Sequence, residues 1–236
     1  METLKLSALP EQSKQQPINH GRFEAYVDNG GTVMAVAGKD YCVIAGDTRM
    51  SDGGYGIQTR HYTKVFQLTN KCVLATSGMQ ADTIALQKRL KLMLETYQKE
   101  HGKPMSTPAI AQFLSNTLYY KRFFPYYTFN LVAGVDEKGE GWIWTYDAVG
   151  SHERVKYSSQ GSGNQLVIPL LDNQVAKRNQ QIIQGNGDVS CDQVVSFVKD
   201  AITSAGERDI YTGDFADIVV VDKDGVRWEK FELKLD

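Results

Sequence analysis

The chain has 236 residues, 42% of them hydrophobic and 23% charged, so it carries enough apolar material for one large core, built as one domain or as two small ones. Its 26 basic and 28 acidic side chains leave a formal charge of −2, which offers no positive footprint for a phosphate backbone and argues against nucleic acid as a partner. Cys42, Cys72 and Cys191 are odd in number and widely spaced, which argues against a disulfide framework or a CxxC zinc site and suits a reducing compartment.

Residues 1–21 hold Pro10 and Pro17 among polar residues with no apolar stretch, unlike a secretory signal, and no later window is long and apolar enough to span a membrane. Residues 1–28 read as a leader, ordered only near Phe23 and Tyr26, where aromatic rings can dock on a neighbouring surface. Residues 29–236 read as the domain proper.

The runs Thr32–Ala37 and Tyr41–Ala45 flank Gly38-Lys39-Asp40, a three-residue hairpin signal. Both are apolar on both alternating faces, which predicts a sheet covered on each side. After the Ser51–Gly56 loop, strands are expected at about Lys64–Gln67 and Cys72–Thr76.

The period then lengthens to that of a helix over Met79–His101, with Leu86, Leu90, Met93, Leu94 and Tyr97 on its apolar side and Gly102 as its stop. A second helix starts near Ser106-Thr107-Pro108 and runs to about Tyr120. Strands return at Thr128–Val135 and Gly141–Asp147 around a charged turn, and a short helix spans Asn164–Leu171.

Ser190-Cys191-Asp192-Gln193 has the form of a capping box, followed by Val194, Phe197, Val198, Ala201, Ile202 and Ala205 at helical spacing. The last strands are expected at Asp217–Asp222 and Val226–Leu233. Strands and helices come in blocks rather than in strict alternation, so the sheets should be antiparallel with helices packed outside them.

Few groups suggest chemistry by themselves. His20, His61, His101 and His152 have no metal-ligand spacing. Gln160–Asn164 is glycine-rich before a helix, as a phosphate cradle is, but lacks the lysine of a P-loop. Lys121–Tyr127 (KRFFPYY) interleaves cations and rings as single-strand binders do, without a wider basic stripe. Asp47 and Arg49 at one strand end, with Lys64 opening another, would bring a carboxylate, a guanidinium and an ammonium to one sheet edge.

A set of ordered motifs gives these groups a context. Gly30-Gly31-Thr32, Ala45-Gly46-Asp47-Thr48-Arg49, Ser77-Gly78, Gly134-Val135-Asp136, Tyr146–Ser151, Gly161-Ser162-Gly163 and Arg208–Gly213 occur in this order. Through them the chain, from about Phe23 onward, resembles proteasome beta subunits of the N-terminal-nucleophile hydrolase family. KRFFPYY and Leu170–Val175 (LLDNQV) narrow the resemblance to the subunit at the sixth ring position.

The resemblance implies an α+β fold, a four-layer αββα sandwich of two antiparallel sheets flanked by helices. Active members cleave a leader at a Gly–Thr bond and use the exposed threonine as nucleophile through its hydroxyl and as base through its amine. The matched support positions are Asp47, Lys64, Ser162, Asp209 and Thr212. Counting back from Asp47 without a gap puts the nucleophile position on Gly31, which has no hydroxyl, so a non-catalytic subunit is expected.

A rival alignment exposes Thr32 by cleavage at Gly31–Thr32. It needs a deletion in the first strand, and a one-residue slip sends every side chain there to the opposite face. A hydrolase or binding protein outside any ring is a further alternative.

The resemblance also implies a heteroheptameric beta ring stacked with other alpha and beta subunits, regulatory caps reached through the assembled particle, and residence in cytoplasm and nucleus. Asp147 is matched to a wall that completes the peptide groove of the adjacent chymotrypsin-like subunit. No cofactor, metal, nucleic acid or membrane is expected.

Overall fold

A computed structural model of the chain describes residues 24–177 and 189–236. Strands β1 (Thr32–Ala37) and β2 (Tyr41–Asp47) form the expected hairpin, and every residue in both is buried. The turn closes where Gly38 N donates to Tyr41 O at 2.9 Å. Two short strands, β3 (Met50–Ser51) and β4 (Ile57–Thr59), then pair with each other before β5 (Val65–Thr69) and β6 (Cys72–Gly78) begin the next sheet.

Helix α1 (Gln80–His101) ends at Gly102, whose φ of 69° is the left-handed conformation glycine adopts without a Cβ penalty, and whose N–H returns to Gln98 O. Helix α2 (Thr107–Tyr119) opens with proline in its first turn. Strands β7 (Thr128–Val135), β8 (Gly141–Tyr146), β9 (His152–Val155) and β10 (Tyr157–Gly161) follow as a run of neighbours in sequence.

Helix α3 (Asn164–Leu171) contains Pro169 and passes into a π-helical turn over Asp172–Ala176. Helix α4 (Cys191–Arg208) carries the predicted capping box: Ser190 accepts from Gln193 N, and the Gln193 side chain accepts from Ser190 N. Strands β11 (Phe215–Asp222) and β12 (Gly225–Glu232) complete the chain.

Two five-stranded antiparallel sheets result, in the orders β10-β1-β2-β11-β12 and β5-β6-β7-β8-β9. Alternation along the strands decides what each face covers. Met34, Val43 and Ile218 pack under α3 and α4 with Val167, Val198 and Ile202. Val33, Ile44 and Val219 meet Val73, Leu131 and Ile143 between the sheets. Leu74 and Val132 pack against Leu86, Leu90, Ile110 and Leu114 of α1 and α2.

The layers are therefore helix, sheet, sheet, helix, the αββα sandwich. Both faces of β1 and β2 are occupied, which is why these strands read as continuous apolar runs. Truncating a wholly buried leucine such as Leu90 would remove about 2–5 kcal/mol from a core packed in this way.

The structure extends the sequence reading in three places. β9 and β10 sit at sheet edges and are built mainly from polar residues, His-Glu-Arg-Val and Tyr-Ser-Ser-Gln-Gly, so no apolar alternation marks them. The β3–β4 pair is too short to leave a pattern. On α1 the buried stripe is Thr83, Leu86, Leu90 and Leu94, whereas Met93, expected on the apolar side, is 43% exposed. Phe23 and His20 lie outside the described residues; Tyr26 docks on its own chain, its ring tilted against those of Phe124 and Tyr127 and its hydroxyl donating to Pro125 O at 2.7 Å.

Candidate functional site

The edge of the first sheet where β1 begins gathers the sequence-predicted groups. Asp47 ends β2 and is wholly buried, so its carboxylate is fixed by the hairpin. Its Oδ1 accepts from Thr32 N at 2.8 Å and from Lys64 Nζ at 3.0 Å, and its Oδ2 accepts from Arg49 N at 3.1 Å and Gly213 N at 3.3 Å. Burial pushes the Asp47 carboxyl up; the Lys64 charge and the N–H donors oppose that.

Lys64 immediately precedes β5 and is 2% exposed. Besides Asp47 Oδ1, its ammonium donates to the carbonyls of Asp47 and Arg49, so all its protons have acceptors.

Gly31 lies against this pair. A Cβ built on its backbone would fall 2.5 Å from Lys64 Nζ and 2.8 Å from Asp47 Oδ1, and its φ of +96° is one that L side chains rarely adopt. The ammonium and carboxylate thus face the side-chain position of residue 31, and glycine leaves that position without an oxygen, a sulfur or a carbon.

On the other side of Gly31, Ser162 N donates to Gly31 O at 3.0 Å, and Gly31 N donates to Ser162 Oγ at 3.1 Å. Ser162 Oγ in turn donates to Asp209 Oδ2 at 2.6 Å. The glycine-rich loop therefore spends its backbone donors inside the protein rather than on a phosphate, since Gly163 N also donates to Thr32 Oγ1 at 3.0 Å.

The Thr32 hydroxyl joins the same network, which meets at Asp209 Oδ2. Thr212 Oγ1 donates to Asp209 Oδ2 at 2.6 Å and lies 2.6 Å from Thr32 Oγ1. With the Thr212 proton on Asp209 and Gly163 N donating to Thr32, the Thr32 hydroxyl is left to donate to Thr212. Thr32 and Met34 share a face of β1, and Met34 packs under α3 and α4. The Thr32 hydroxyl therefore points to the helical side, away from Lys64.

All five support positions, Asp47, Lys64, Ser162, Asp209 and Thr212, thus surround Gly31 and Thr32. Arg49 differs from the simplest expectation, because its carboxylate partner is Asp214, at 2.9 Å from Nε, and Asp47 meets it only through the Arg49 backbone. Arg49 also donates to Ile210 O at 3.0 Å and to Asp236 Oδ1 at 3.2 Å. Burial disfavours the cation, but hydrogen bonds and charge from Asp214 and Asp236 outweigh it and raise the Arg49 pKa.

Asp214, Asp236 and Asn29 escaped the sequence reading. Asp214 follows the Arg208–Gly213 motif directly, which was its one available signal. Asp236 had none. Asn29 sits just before the site: its N–H donates to Gly78 O at 3.2 Å, its Nδ2 to Ser51 O at 2.9 Å, and its Oδ1 accepts from Gln80 N at 2.8 Å. Met79 gives α1 no side-chain cap, so a residue from another segment supplies one.

Asp147 lies apart from this cluster. It is exposed, and its Oδ1 accepts from Val149 N at 3.0 Å and Ser151 N at 2.8 Å within its own turn. Among the described residues there is no group of His, Cys, Asp and Glu arranged to hold a metal ion, and no helix long and apolar enough to cross a membrane.

Comparison with known proteins agrees with this geometry. Residues 27–221 match the family described as "Proteasome subunit". The chain is 92% identical over 236 residues, 100% of both chains, to "Proteasome subunit beta type-1" of Dictyostelium discoideum. It is 52% identical over 227 residues, 95% of this chain and 100% of the relative, to "Proteasome subunit beta type-1" of Petunia hybrida. To "Proteasome subunit beta type-6" of Saccharomyces cerevisiae it is 41% identical over 239 residues, 98% of each. The αββα sandwich is accordingly the N-terminal-nucleophile hydrolase fold, and the chain belongs to the proteasome subunit family as a beta subunit of the type-1 group.

Proposed function

We propose that this beta subunit is a non-catalytic, structural member of the proteasome core. The observation that carries the reading is Gly31: Lys64 and Asp47 converge on its absent side chain, so the groups that would tune a nucleophile have none to act on. The subunit's role is then positional, as part of a heteroheptameric beta ring stacked with alpha and beta subunits, capped by regulators, and acting in ubiquitin-dependent degradation in cytoplasm and nucleus.

The rival nucleophile, Thr32, is disfavoured by its surroundings. Its hydroxyl is wholly buried, engaged by Thr212 and Gly163, and on the opposite face of β1 from Lys64. Activating it would require a rebuilt hairpin as well as cleavage at Gly31–Thr32.

Intact-mass measurement of the mature chain, with a threonine-directed covalent probe applied to whole particles, tests the reading. The expected result is adducts on other subunits and none on this chain. A mass beginning at Thr32 that carries the adduct would overturn it.

A finer part of the proposal concerns Asp147. Its Oδ1 serves the turn, which leaves the second carboxylate oxygen to accept a hydrogen bond from a peptide bound to the adjacent chymotrypsin-like subunit. Asp147→Asn keeps an acceptor for the turn and removes the charge. It is expected to weaken peptide affinity and alter side-chain preference at that neighbour; unchanged values for both would sink the idea.

A further inference from the structure

Asn29 and Gly30 form one of two Asn–Gly pairs in the chain; the other, Asn186–Gly187, lies outside the described residues. An asparagine before glycine is the peptide linkage most open to self-modification, because without a Cβ the glycine nitrogen reaches the asparagine side chain unhindered. The fold nevertheless requires both residues here.

Gly30 has a φ of +69°, and a Cβ on it would fall 2.6 Å from Tyr211 Cβ, so a larger residue does not fit. At position 29 the two halves of the amide have opposite partners: Oδ1 accepts from Gln80 N at 2.8 Å, and Nδ2 donates to Ser51 O at 2.9 Å. Satisfying both takes a side chain that accepts and donates at once, which a carboxylate cannot do.

The same contacts hold the reaction off. Closing an imide ring needs Gly30 N to give up its proton and bond to Asn29 Cγ while the Cγ–Nδ2 bond breaks. The Gly30 N–H is turned to Asp28 Oδ1 at 2.9 Å, and a carboxylate is far too weak a base to remove an amide proton, so it holds the donor without activating it. Nδ2, the group that must leave, is tied to Ser51 O. The Asn29 backbone is paired as well, its N–H to Gly78 O and its carbonyl to Ser51 N, each at 3.2 Å.

We infer that Asn29–Gly30 is a deamidation site that is closed while residues 28–31 are seated and opens when they lift from the fold, and that its products do not reseat. In the open state Gly30 N attacks Asn29 Cγ, and ammonia leaves carrying the amide proton. Water then adds to either carbonyl of the imide and leaves aspartate or isoaspartate at position 29. One water is consumed, one ammonia is released, and nothing is oxidised or reduced.

Both products lose the seat. Aspartate sets a carboxylate oxygen against Ser51 O, two acceptors with no proton between them. Isoaspartate routes the main chain through the side-chain methylene, which displaces Gly30 from Tyr211 and Gly31 from its hydrogen bonds with Ser162. The modification therefore records, irreversibly, that a chain has opened at the sheet edge carrying Gly31, and it does so whether or not the subunit is catalytic.

The test incubates the full-length chain at neutral pH in its native state, as isolated from cells, and in parallel in urea. Peptide mass spectrometry counts the amide, aspartate and isoaspartate forms at positions 29 and 186. Position 29 is expected to convert at least about a hundredfold more slowly in the native chain than in urea, the ratio being set by how rarely the segment opens. In urea the two Asn–Gly pairs are expected to convert at similar rates. Equal native and urea rates at position 29 would overturn the lock, and no conversion there in urea while position 186 converts would overturn the site.

Chain aged in urea and returned to native buffer holds converted and unconverted molecules in one sample. Hydrogen exchange read by mass, which separates the two, is expected to be about tenfold faster or more at Gly30 and Gly31 in the converted molecules. Equal protection in both would overturn the claim that the products do not reseat. Where the aged chain does not refold, the full-length Asn29→Asp variant isolated natively replaces the converted molecules in that comparison, and the native-to-urea ratio decides the lock at any refolding yield.

Discussion

Lys64 Nζ donates to Asp47 Oδ1 at 3.0 Å with both side chains buried, and the pair stands directly against the backbone of Gly31. An ion pair removed from water in this way adds little net stability by itself, but breaking it strands a charge. Lys64→Met is therefore expected to cost about 3–5 kcal/mol in equilibrium unfolding, and Lys64→Met combined with Asp47→Asn less than the sum of the single changes. Additive single and double variants would show that the pair is not coupled.

Gly31→Thr restores a hydroxyl but not a place for it. The new Cβ would meet Lys64 and Asp47, and the positive φ alone costs a non-glycine residue about 1–3 kcal/mol. The uncleaved variant is expected to unfold at lower urea than wild type and to take up no threonine-directed probe. Equal stability together with probe labelling would mean that Lys64 moves aside freely.

Thr32→Val separates a structural hydroxyl from a nucleophilic one. It leaves Gly163 N without its acceptor and removes the contact to Thr212. Leaving a buried donor unsatisfied costs about 1–3 kcal/mol, so stability should fall while peptide hydrolysis by assembled particles stays at its wild-type level. A loss of hydrolysis in correctly assembled particles would favour the rival nucleophile.

Asn29→Ala removes the side chain that caps α1 from outside. Loss of an N-cap costs about 0.5–2 kcal/mol, and amide exchange should quicken at Gln80 and its neighbours before it changes at Leu90. Uniform exchange changes along α1 would contradict a capping role.

Asp236 gives the fold an acid-sensitive tie. Lys234 and Arg49 hold its carboxyl at about 2, below the ordinary aspartate value. A carboxylate depressed in the folded state stabilises above its unfolded pKa, and that contribution disappears as pH falls through the folded one. The tie to Arg49 should therefore loosen between about pH 4 and about pH 2, visible as a low midpoint in a carbon NMR titration of the Asp236 carboxyl. An ordinary midpoint would show that the tie does not form in solution.

The hairpin β1–β2, the two long helices and the capping box at Ser190 were legible because each leaves a periodic or positional mark that burial enforces. β9 and β10 were not, since each is a short edge strand with a single core-packing side chain, Val155 or Tyr157, among polar residues, too few to set up an alternation. The five support positions were found through motifs; their partners Asp214, Asp236 and Asn29 were not, because each meets the site across a large separation in sequence, 165 residues in the pair Arg49–Asp214. Lys121–Tyr127 was conspicuous as a motif, but whether its rings were packed or exposed depended on how α2 ended.

The sequence by itself determined that position 31 is a glycine in a run matching an N-terminal-nucleophile family, and hence which atom is missing. Only the tertiary structure decided that Lys64 and Asp47 face that missing atom while the neighbouring hydroxyl, Thr32, faces the helices. The reason is strand geometry: successive residues of β1 project to opposite sides of the sheet, and which side holds the ammonium is fixed by β5, a strand of the other sheet.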